Sequence, residues 1–552
     1  MEPLKRSKGF PGPKGPVVLV IMDGVGIGKY EEGDMVRKAT TPTLDWLSQH
    51  GLSSQLKAHG RYVGLPSDDD MGNSEVGHNA IGSGRIFDQG ASLVNKSIET
   101  GALFEGRVWK ELTANVKNHR SRLHFIGLLS DGNVHSHINH LEALLAEAKK
   151  EGVKKAYIHI LLDGRDVPST SALQYVDRLE SFLSGLKKES DIDFAIASGG
   201  GRMKITMDRY QADWSMVELG WKTHVKGEGR RFGSAREAIE RLREENPGIL
   251  DQDLPPFVIA RDHEPVGPIE RHDSVIFFNF RGDRAIEISQ AFENDDFDKF
   301  DRGPRPDVLY AGMMEYDGDA HIPRRFLVSP PGIDRTLGEY LVLAGIKQLA
   351  VSETQKFGHV TYFFNGNRSG KFDESLEDYV EIPSDKVPFE ERPWMKAAEI
   401  TDEVVQVIVK GEYRFIRLNF PNGDMVGHTG VLQAVEIAVE TVDLCLGRIL
   451  EAVRKANGIL VVSADHGNAD DMYERDAKTR KVVIDPETGR PKTKTAHSLN
   501  PVPFYLYEPT GLVKIRISSH RDLGISSLAA TCLKLLGFDP PEDYTPSIIE
   551  TE

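Results

Sequence analysis

Leu123-His-Phe-Ile-Gly-Leu-Leu129, then Ser130-Asp-Gly-Asn-Val-His-Ser-His137, then His140–Lys150 follow one another in the chain. The first segment is a mostly apolar run of strand length, interrupted by His124. The second is polar and carries a glycine. The third repeats leucine and alanine at helical spacing. Strand, loop and helix in that order form the unit of a parallel α/β sheet. The unit recurs in Ala156–Leu162, Asp163-Gly-Arg-Asp166 and Ala172–Leu186. It recurs again in Phe194–Ala197, Gly199-Gly-Gly-Arg202 and Met207-Asp-Arg209, and in Val275–Phe280, Arg281-Gly-Asp-Arg284 and a helix from Ala285. Val308–Met314 is a further strand. These repeats predict an α/β domain in the middle of the chain.

The same grammar holds on either side. Upstream, Val17–Met22 is a β-rich apolar run that ends at Asp23-Gly24, the mark of a buried parallel strand. Pro42 before Thr43–Leu47 suits a helix start. Downstream, Ser329-Pro-Pro331 reads as a linker. Thr336–Ala344 is a helix, and Gln348–Val351, Tyr413–Phe420 and Gly458–Ser463 are strands.

Bulk properties bound the function. At 552 residues the chain exceeds one simple core, so two or more domains are expected. A net charge of −16 argues against a nucleic-acid partner. Two cysteines, Cys445 and Cys532, each lie in an apolar helical pattern, which fits a reducing compartment. No apolar run has the length of a membrane span, and the run after Met1–Pro16 reads as a strand, not a signal peptide. A cytoplasmic protein with no membrane partner is expected.

Loops after the strands of an α/β sheet are where ligands bind. Here such loops carry His135, Arg165 with Asp166, Arg202 with Arg209, and Arg281 with Arg284. Arginine presents paired donors to phosphate and carboxylate, so a shared anion site is expected. A second set of strand ends carries Asp23, then Asp424 with His428, then Asp465 with His466; His497 lies further on, in Ala-His-Ser. Asp424 and His428 stand four apart, on one face of a helix. Carboxylate with imidazole is ligand chemistry for Mn, Zn, Co or Fe. Singly, each element has an ordinary explanation as a turn or a solvated pair. Jointly, six ligands form a two-metal site. Ser74, in Met71-Gly-Asn-Ser-Glu-Val-Gly-His78, is read in two ways: as an N-cap serine, and as a nucleophile whose proton a metal makes easier to lose.

Taken together, Asp23-Gly-Val-Gly26, Gly72–His78, Ser130–His137, Asp163–Asp166, Asn279-Phe-Arg-Gly-Asp-Arg284, Glu353-Thr-Gln-Lys356, Asp424–His428, Ala464-Asp-His-Gly-Asn468 and Thr495-Ala-His497 resemble the cofactor-independent phosphoglycerate mutases of the alkaline phosphatase superfamily. The match spans nearly the whole chain, and its length resembles the plant and trypanosomatid branch. The resemblance implies an alkaline-phosphatase-like α/β sandwich (residues 1–88 and 331–552) interrupted by an inserted α/β transferase domain (residues 89–330). It implies one divalent metal on Asp424, His428 and His497 and another on Asp23, Ser74, Asp465 and His466, with Mn or Co favoured and Mg possible. It assigns His135, Arg165, Asp166, Arg202, Arg209, Arg281, Arg284 and Lys356 to a small-molecule substrate, 3-phosphoglycerate or 2-phosphoglycerate. Ser74 is then the phosphoserine and Asp166 the general acid and base, with no need for 2,3-bisphosphoglycerate. A monomer hinged at about Phe87–Asn95 and Ser329–Asp334 is expected. A metal phosphatase or other phosphomutase is the alternative enzyme; a non-catalytic phosphometabolite-binding protein is the alternative of another class. Tyr473–Thr495 is expected to be a long exposed loop with no assigned role.

Overall fold

The computed structural model describes every residue except 189–190, 209–212, 283, 317–320, 330, 477–478, 485–488, 512 and 552. The chain divides into two compact units, Met1–Gln89 with Pro331–Glu552, and Gly90–Pro330. Each is an α/β unit built on its own sheet.

The sheet of the first unit runs, in spatial order, Glu377–Ile382, Gln348–Glu353, Phe415–Phe420, Val17–Met22, Ile459–Ser463, Val502–Tyr507 and Leu52–Leu56. The first five strands are parallel, and Val502–Tyr507 is antiparallel to both neighbours. Val17–Met22 pairs in register with Phe415–Phe420 on one side and Ile459–Ser463 on the other. Every residue of Val17–Met22 is buried, as a strand covered on both faces requires. Helices Pro42–His50, Ala397–Lys410 and Leu432–Lys455 pack as one layer, and Ser74–Ser83 packs with Ser527–Leu535. Because the central strands are parallel, their C-terminal ends lie along one edge, and the loops that leave this edge carry the polar chemistry.

The second unit orders its strands Leu309–Gly312, Ser274–Phe277, Leu123–Leu129, Lys155–Leu162, Asp193–Gly201, Phe257–Arg261 and Arg230–Phe232, with Glu264–Pro265 paired to Phe257–Arg261. The first five strands are parallel. Here the structure corrects one boundary. Gly199–Gly201, expected in a ligand loop, continue the strand and pair with Ile160–Leu162. Their lack of side chains is what permits it: a Cβ on Gly199 would lie 2.5 Å from the Phe257 ring and 3.0 Å from the Ile160 carbonyl oxygen. A second difference concerns the expected hinge at Phe87–Asn95, whose later residues belong to the helix Gly90–Glu99.

A buried polar seam crosses the second sheet. His124 Nε2 donates to Asp273 (3.0 Å), His159 Nε2 donates to His124 Nδ1 (3.1 Å), Ser198 Oγ donates to His159 Nδ1 (2.7 Å), and His224 Nδ1 donates to Ser198 Oγ (2.8 Å). The direction follows from the carboxylate, which only accepts. Burial holds all three imidazoles neutral. It lowers His124 against the pull of Asp273, lowers His159 with help from its two histidine neighbours, and brings His224 to about 3. The unfolded chain titrates these rings near an ordinary histidine value, about 6.5, so below that pH it binds protons the folded seam refuses. This part of the stability is present above pH ~6.5 and is lost as pH falls toward the folded values, by up to about 1.4 kcal/mol per pH unit for each ring. Amide protection factors in Leu123–Leu129 and Lys155–Leu162, that is, exchange corrected for the intrinsic pH dependence of amide exchange, are therefore expected to fall on acidification from pH ~6.5, and His224→Phe to flatten that dependence. Protection factors indifferent to pH in this range count against the seam.

Candidate metal centre

Four loops of the first unit meet at the C-terminal edge of its parallel strands. Asp23 follows Val17–Met22 directly. The short helix Thr354–Gly358 follows Gln348–Glu353 and brings Lys356. Helix Asn422–Gly427 follows Phe415–Phe420 and brings Asp424, with His428 one turn later. Asp465 and His466 follow Ile459–Ser463. Val502–Tyr507 runs the other way, so the segment before it, with His497, arrives at the same edge.

Ser74 is not the N-cap of its helix. That role belongs to Asn73, whose side chain accepts from the Val76 N–H at 3.0 Å. Ser74 is the first helical residue, with only 5% of its surface exposed. Its Oγ lies 3.0 Å from His466 Nε2, 3.2 Å from Asp23 Oδ1 and 2.5 Å from Lys356 Nζ.

Among the described residues, two groups have ligand atoms within 4.8 Å of one another: Asp424, His428 and His497, and Asp23, Asp465 and His466. The first group has a telling geometry. His428 Nδ1 donates to the Thr495 carbonyl (2.6 Å), and His497 Nδ1 donates to the Gly72 carbonyl (2.7 Å). A carbonyl accepts only, so each Nδ1 carries a hydrogen and each ring turns its Nε2 inward. Those two nitrogens face each other at 3.1 Å, and each is 3.1 Å from Asp424 Oδ1. Burial lowers His497 to about 4, with His466 adding to the shift and Asp424 opposing it, so its ring is neutral. The lone pair of neutral His497 and the Asp424 carboxylate oxygen thus point at one place, where a cation fits, and a nitrogen-nitrogen-oxygen set suits Mn, Co or Zn.

Charge leads to the same requirement. Asp23, Asp424 and Asp465 are each 2% exposed or less. Lys356, itself 5% exposed, donates to Asp424 Oδ2 (2.8 Å) and lies 3.2 Å from Asp23 Oδ2. Burial opposes its ammonium, but Asp23, Asp424 and Asp465 outweigh burial and hold it charged. Burial likewise opposes a proton on His466, and Asp465, Asp424 and Asp23 raise that ring to about 10. The Lys356 ammonium and the His466 imidazolium together still leave one of three buried carboxylates unmatched, an excess that is costly unless paired. Divalent cations fit this donor set.

Sequence reading missed the residues that hold the ligands in place. Asn419 Nδ2 donates to Asp23 Oδ2 (2.9 Å), and Asn468 Nδ2 donates to Asp424 Oδ1 (3.1 Å). His78 Nδ1 donates to the Ser74 carbonyl (2.8 Å) and lies 3.3 Å from Asp465 Oδ2. Such outer partners fix ligand orientation. A signal existed for Asn419, a polar residue near the end of a largely apolar buried strand, and for His78, one helical turn after Ser74.

The second unit treats its predicted residues unevenly. Asp163 organises them: its carboxylate accepts from Ser130 Oγ (2.6 Å), from the N–H groups of Arg165 (3.1 Å) and Asp166 (3.0 Å), and from Arg202 Nη1 (2.9 Å). Arg202, 1% exposed, is turned inward and also pairs with Asp166. Asp166 was expected beside Arg165; its ion-pair partner is Arg202, and the Arg165 side chain is exposed. Burial raises the Asp166 carboxyl against the pull of Arg202. Arg284 Nη1 donates to the Met207 carbonyl (2.6 Å), His135 is buried and Arg281 half-buried. Arg209 lies outside the described residues.

The Metalloenzyme superfamily profile matches residues 15–540. A probable 2,3-bisphosphoglycerate-independent phosphoglycerate mutase of Leptospira interrogans is 54% identical over 552 residues, the whole of both chains. The 2,3-bisphosphoglycerate-independent phosphoglycerate mutase of Trypanosoma brucei brucei is 52% identical over 98% of each chain. The chain belongs to the 2,3-bisphosphoglycerate-independent phosphoglycerate mutase family. A crystal structure of Leishmania mexicana phosphoglycerate mutase at low cobalt concentration is 48% identical, covers both chains fully and superposes with a TM-score of 0.78. Family membership makes the chain an isomerase of the metal-dependent kind. No helix among the described residues is long and apolar enough to cross a membrane.

Removing His497 leaves its group one imidazole and one carboxylate. His497→Ala is expected to bind one Co²⁺ fewer per chain while the group around Asp23 keeps its ion. Equilibrium dialysis with metal analysis checks this, and undiminished binding counts against the grouping.

Proposed function

We propose that this protein interconverts 3-phosphoglycerate and 2-phosphoglycerate through a phosphoserine on Ser74, with two divalent cations, Mn or Co by preference, and without 2,3-bisphosphoglycerate. One observation carries the reading: Ser74 Oγ stands among Asp23, His466 and Lys356, and Lys356 in turn reaches Asp424 of the other ligand group. Asp424, His428 and His497 would hold one cation and Asp23, Asp465 and His466, with Ser74, the other. Bound there, the cations supply positive charge that lowers the proton affinity of the serine hydroxyl and neutralises a phosphoryl group.

The chain's own residues do the rest. Ser74 Oγ, its hydroxyl proton released to solvent beforehand, forms a bond to phosphorus, the bond from phosphorus to the glycerate oxygen breaks, and that oxygen takes a proton. Lys356 Nζ balances the charge on the transferring group. Asp166 is the group assigned to give the proton and later to take one from the other hydroxyl, consistent with a carboxyl that burial raises. His135, Arg165, Arg202, Arg209, Arg281 and Arg284 are assigned to the glycerate carboxylate and phosphate. The second transfer returns the phosphoryl group from Ser74 to glycerate. The enzyme is read as a cytoplasmic monomer that acts on a small molecule alone.

A coupled assay of 3-phosphoglycerate conversion should show activity without added 2,3-bisphosphoglycerate and none after chelation. Ser74→Ala should lose at least about a thousand-fold in kcat while still binding Co²⁺. Two in-line transfers predict retention at phosphorus. A requirement for bisphosphate, inversion at phosphorus, or free phosphate as the main product would each overturn the reading.

A further inference from the structure

Tyr473–Thr495, expected as an exposed loop, is an ordered three-segment meander among its described residues. Its rungs are Glu474 N–H to the Lys492 carbonyl (2.9 Å), Val483 N–H to the Glu474 carbonyl (2.8 Å), Lys492 N–H to the Val483 carbonyl (2.8 Å) and Lys494 N–H to the Met472 carbonyl (2.8 Å). Nothing in the proposed chemistry uses it. Its attachments, however, all lead to the metal centre.

The first attachment is to the segment after Asp23. The Met472 N–H donates to the Gly33 carbonyl (2.9 Å), and the Tyr473 ring packs so closely on Gly33 that a Cβ there would lie 2.8 Å from it. Arg475 lays its guanidinium over the Tyr30 ring, 3.9 Å from the centroid, and donates to the Glu32 carbonyl (2.6 Å). Its side chain is only 10% exposed. The second attachment is internal: Lys494 Nζ pairs with Asp471 at 2.7 Å, which closes the meander at its base. The third is to the turn after His428. A Cβ on Gly430 would lie 3.0 Å from Thr493 Oγ1 and 3.2 Å from Thr495 Cγ2. At this exit the Thr495 carbonyl accepts from His428 Nδ1 at 2.6 Å, and His497 follows two residues later.

From these contacts we infer that the meander is a positioning clasp for the Asp424–His428–His497 ligand group, with Arg475 and Tyr30 as its latch. The Thr495 carbonyl fixes the tautomer and ring angle of His428. The meander fixes where that carbonyl stands, and the Arg475–Tyr30 stack fixes the meander. The chain around Asp465 and His466 is anchored without Arg475, because Asp470 ties the entry of the meander to the residues after His497 through Ser498 Oγ (2.7 Å) and Asn500 Nδ2 (2.7 Å), and to the Gly26 N–H (3.2 Å). Arg475 and Tyr30 are thus positioning residues and touch no ligand atom of the centre. The inference rests on the two-cation reading given above.

The test is a Co²⁺ titration of the metal-free full-length protein, followed by visible absorption, with thermal unfolding of the metal-free protein measured in parallel. The unmodified chain should take up two ions in resolvable steps. Arg475→Ala and Tyr30→Ala should each weaken one step by roughly 10- to 100-fold, the usual effect of an outer-shell partner, and leave the other unchanged. The weakened step should be the one that His497→Ala abolishes. Tyr30→Phe, which keeps the ring, and Lys492→Ala, which removes only an outer pair with Glu474, should bind as the unmodified chain does. Two unchanged steps in Arg475→Ala overturn the clasp, as does equal weakening of both steps. Uptake of fewer than two ions by the unmodified chain instead overturns the two-cation reading on which the clasp rests.

Discussion

Buried negative charge is the constraint around which the first unit is built. Asp23, Asp424 and Asp465 are withdrawn from water at one edge of a sheet whose strands are apolar on both faces. Nothing in an apolar layer compensates a carboxylate, so compensation has to come from the edge itself. Lys356 and the His466 imidazolium supply part, and asparagine amides supply hydrogen bonds. A parallel sheet suits this task. It gathers chain segments far apart in sequence at one place and holds each on a rigid strand end.

The second unit uses buried charge differently. Asp163 meets Arg202 and three further donors inside the fold, and the pairing with Asp166 is internal too. Arg202 is thereby held in a fixed pose, and much of its charge is already matched. An arginine held this way offers a ligand directed N–H groups more than net attraction.

Much of this was legible in the sequence, and the reasons are local. A strand buried on both faces writes itself as a predominantly apolar run, so Val17–Met22, Leu123–Leu129 and Ile459–Ser463 declare themselves. Residues that follow such runs inherit their position, which is why the gathering of Asp23, Asp424, Asp465 and His466 at one sheet edge was readable without coordinates. Residues acting through a neighbour were not. Asn419, Asn468, His78 and Asp163 matter because of what lies opposite them in space, and no periodicity encodes that. Gly199–Gly201 misled for a physical reason: glycine marks both a flexible turn and a close approach of two backbones, and here it marks the second. The histidine seam was illegible because its members come from separate strands and a helix. Tyr473–Thr495 looked like loop because its sequence is polar, yet its order comes from backbone rungs and one stacked arginine instead of apolar burial.

Asn73 and Ser74 divide between them what one residue often does at the start of a helix. The amide of Asn73 satisfies the exposed N–H of Val76, and that bond is indifferent to what is attached to the neighbouring oxygen. The cap therefore does not draw on Ser74 Oγ. In the chemistry proposed for this position, the frame need not refold between one half of a turnover and the next.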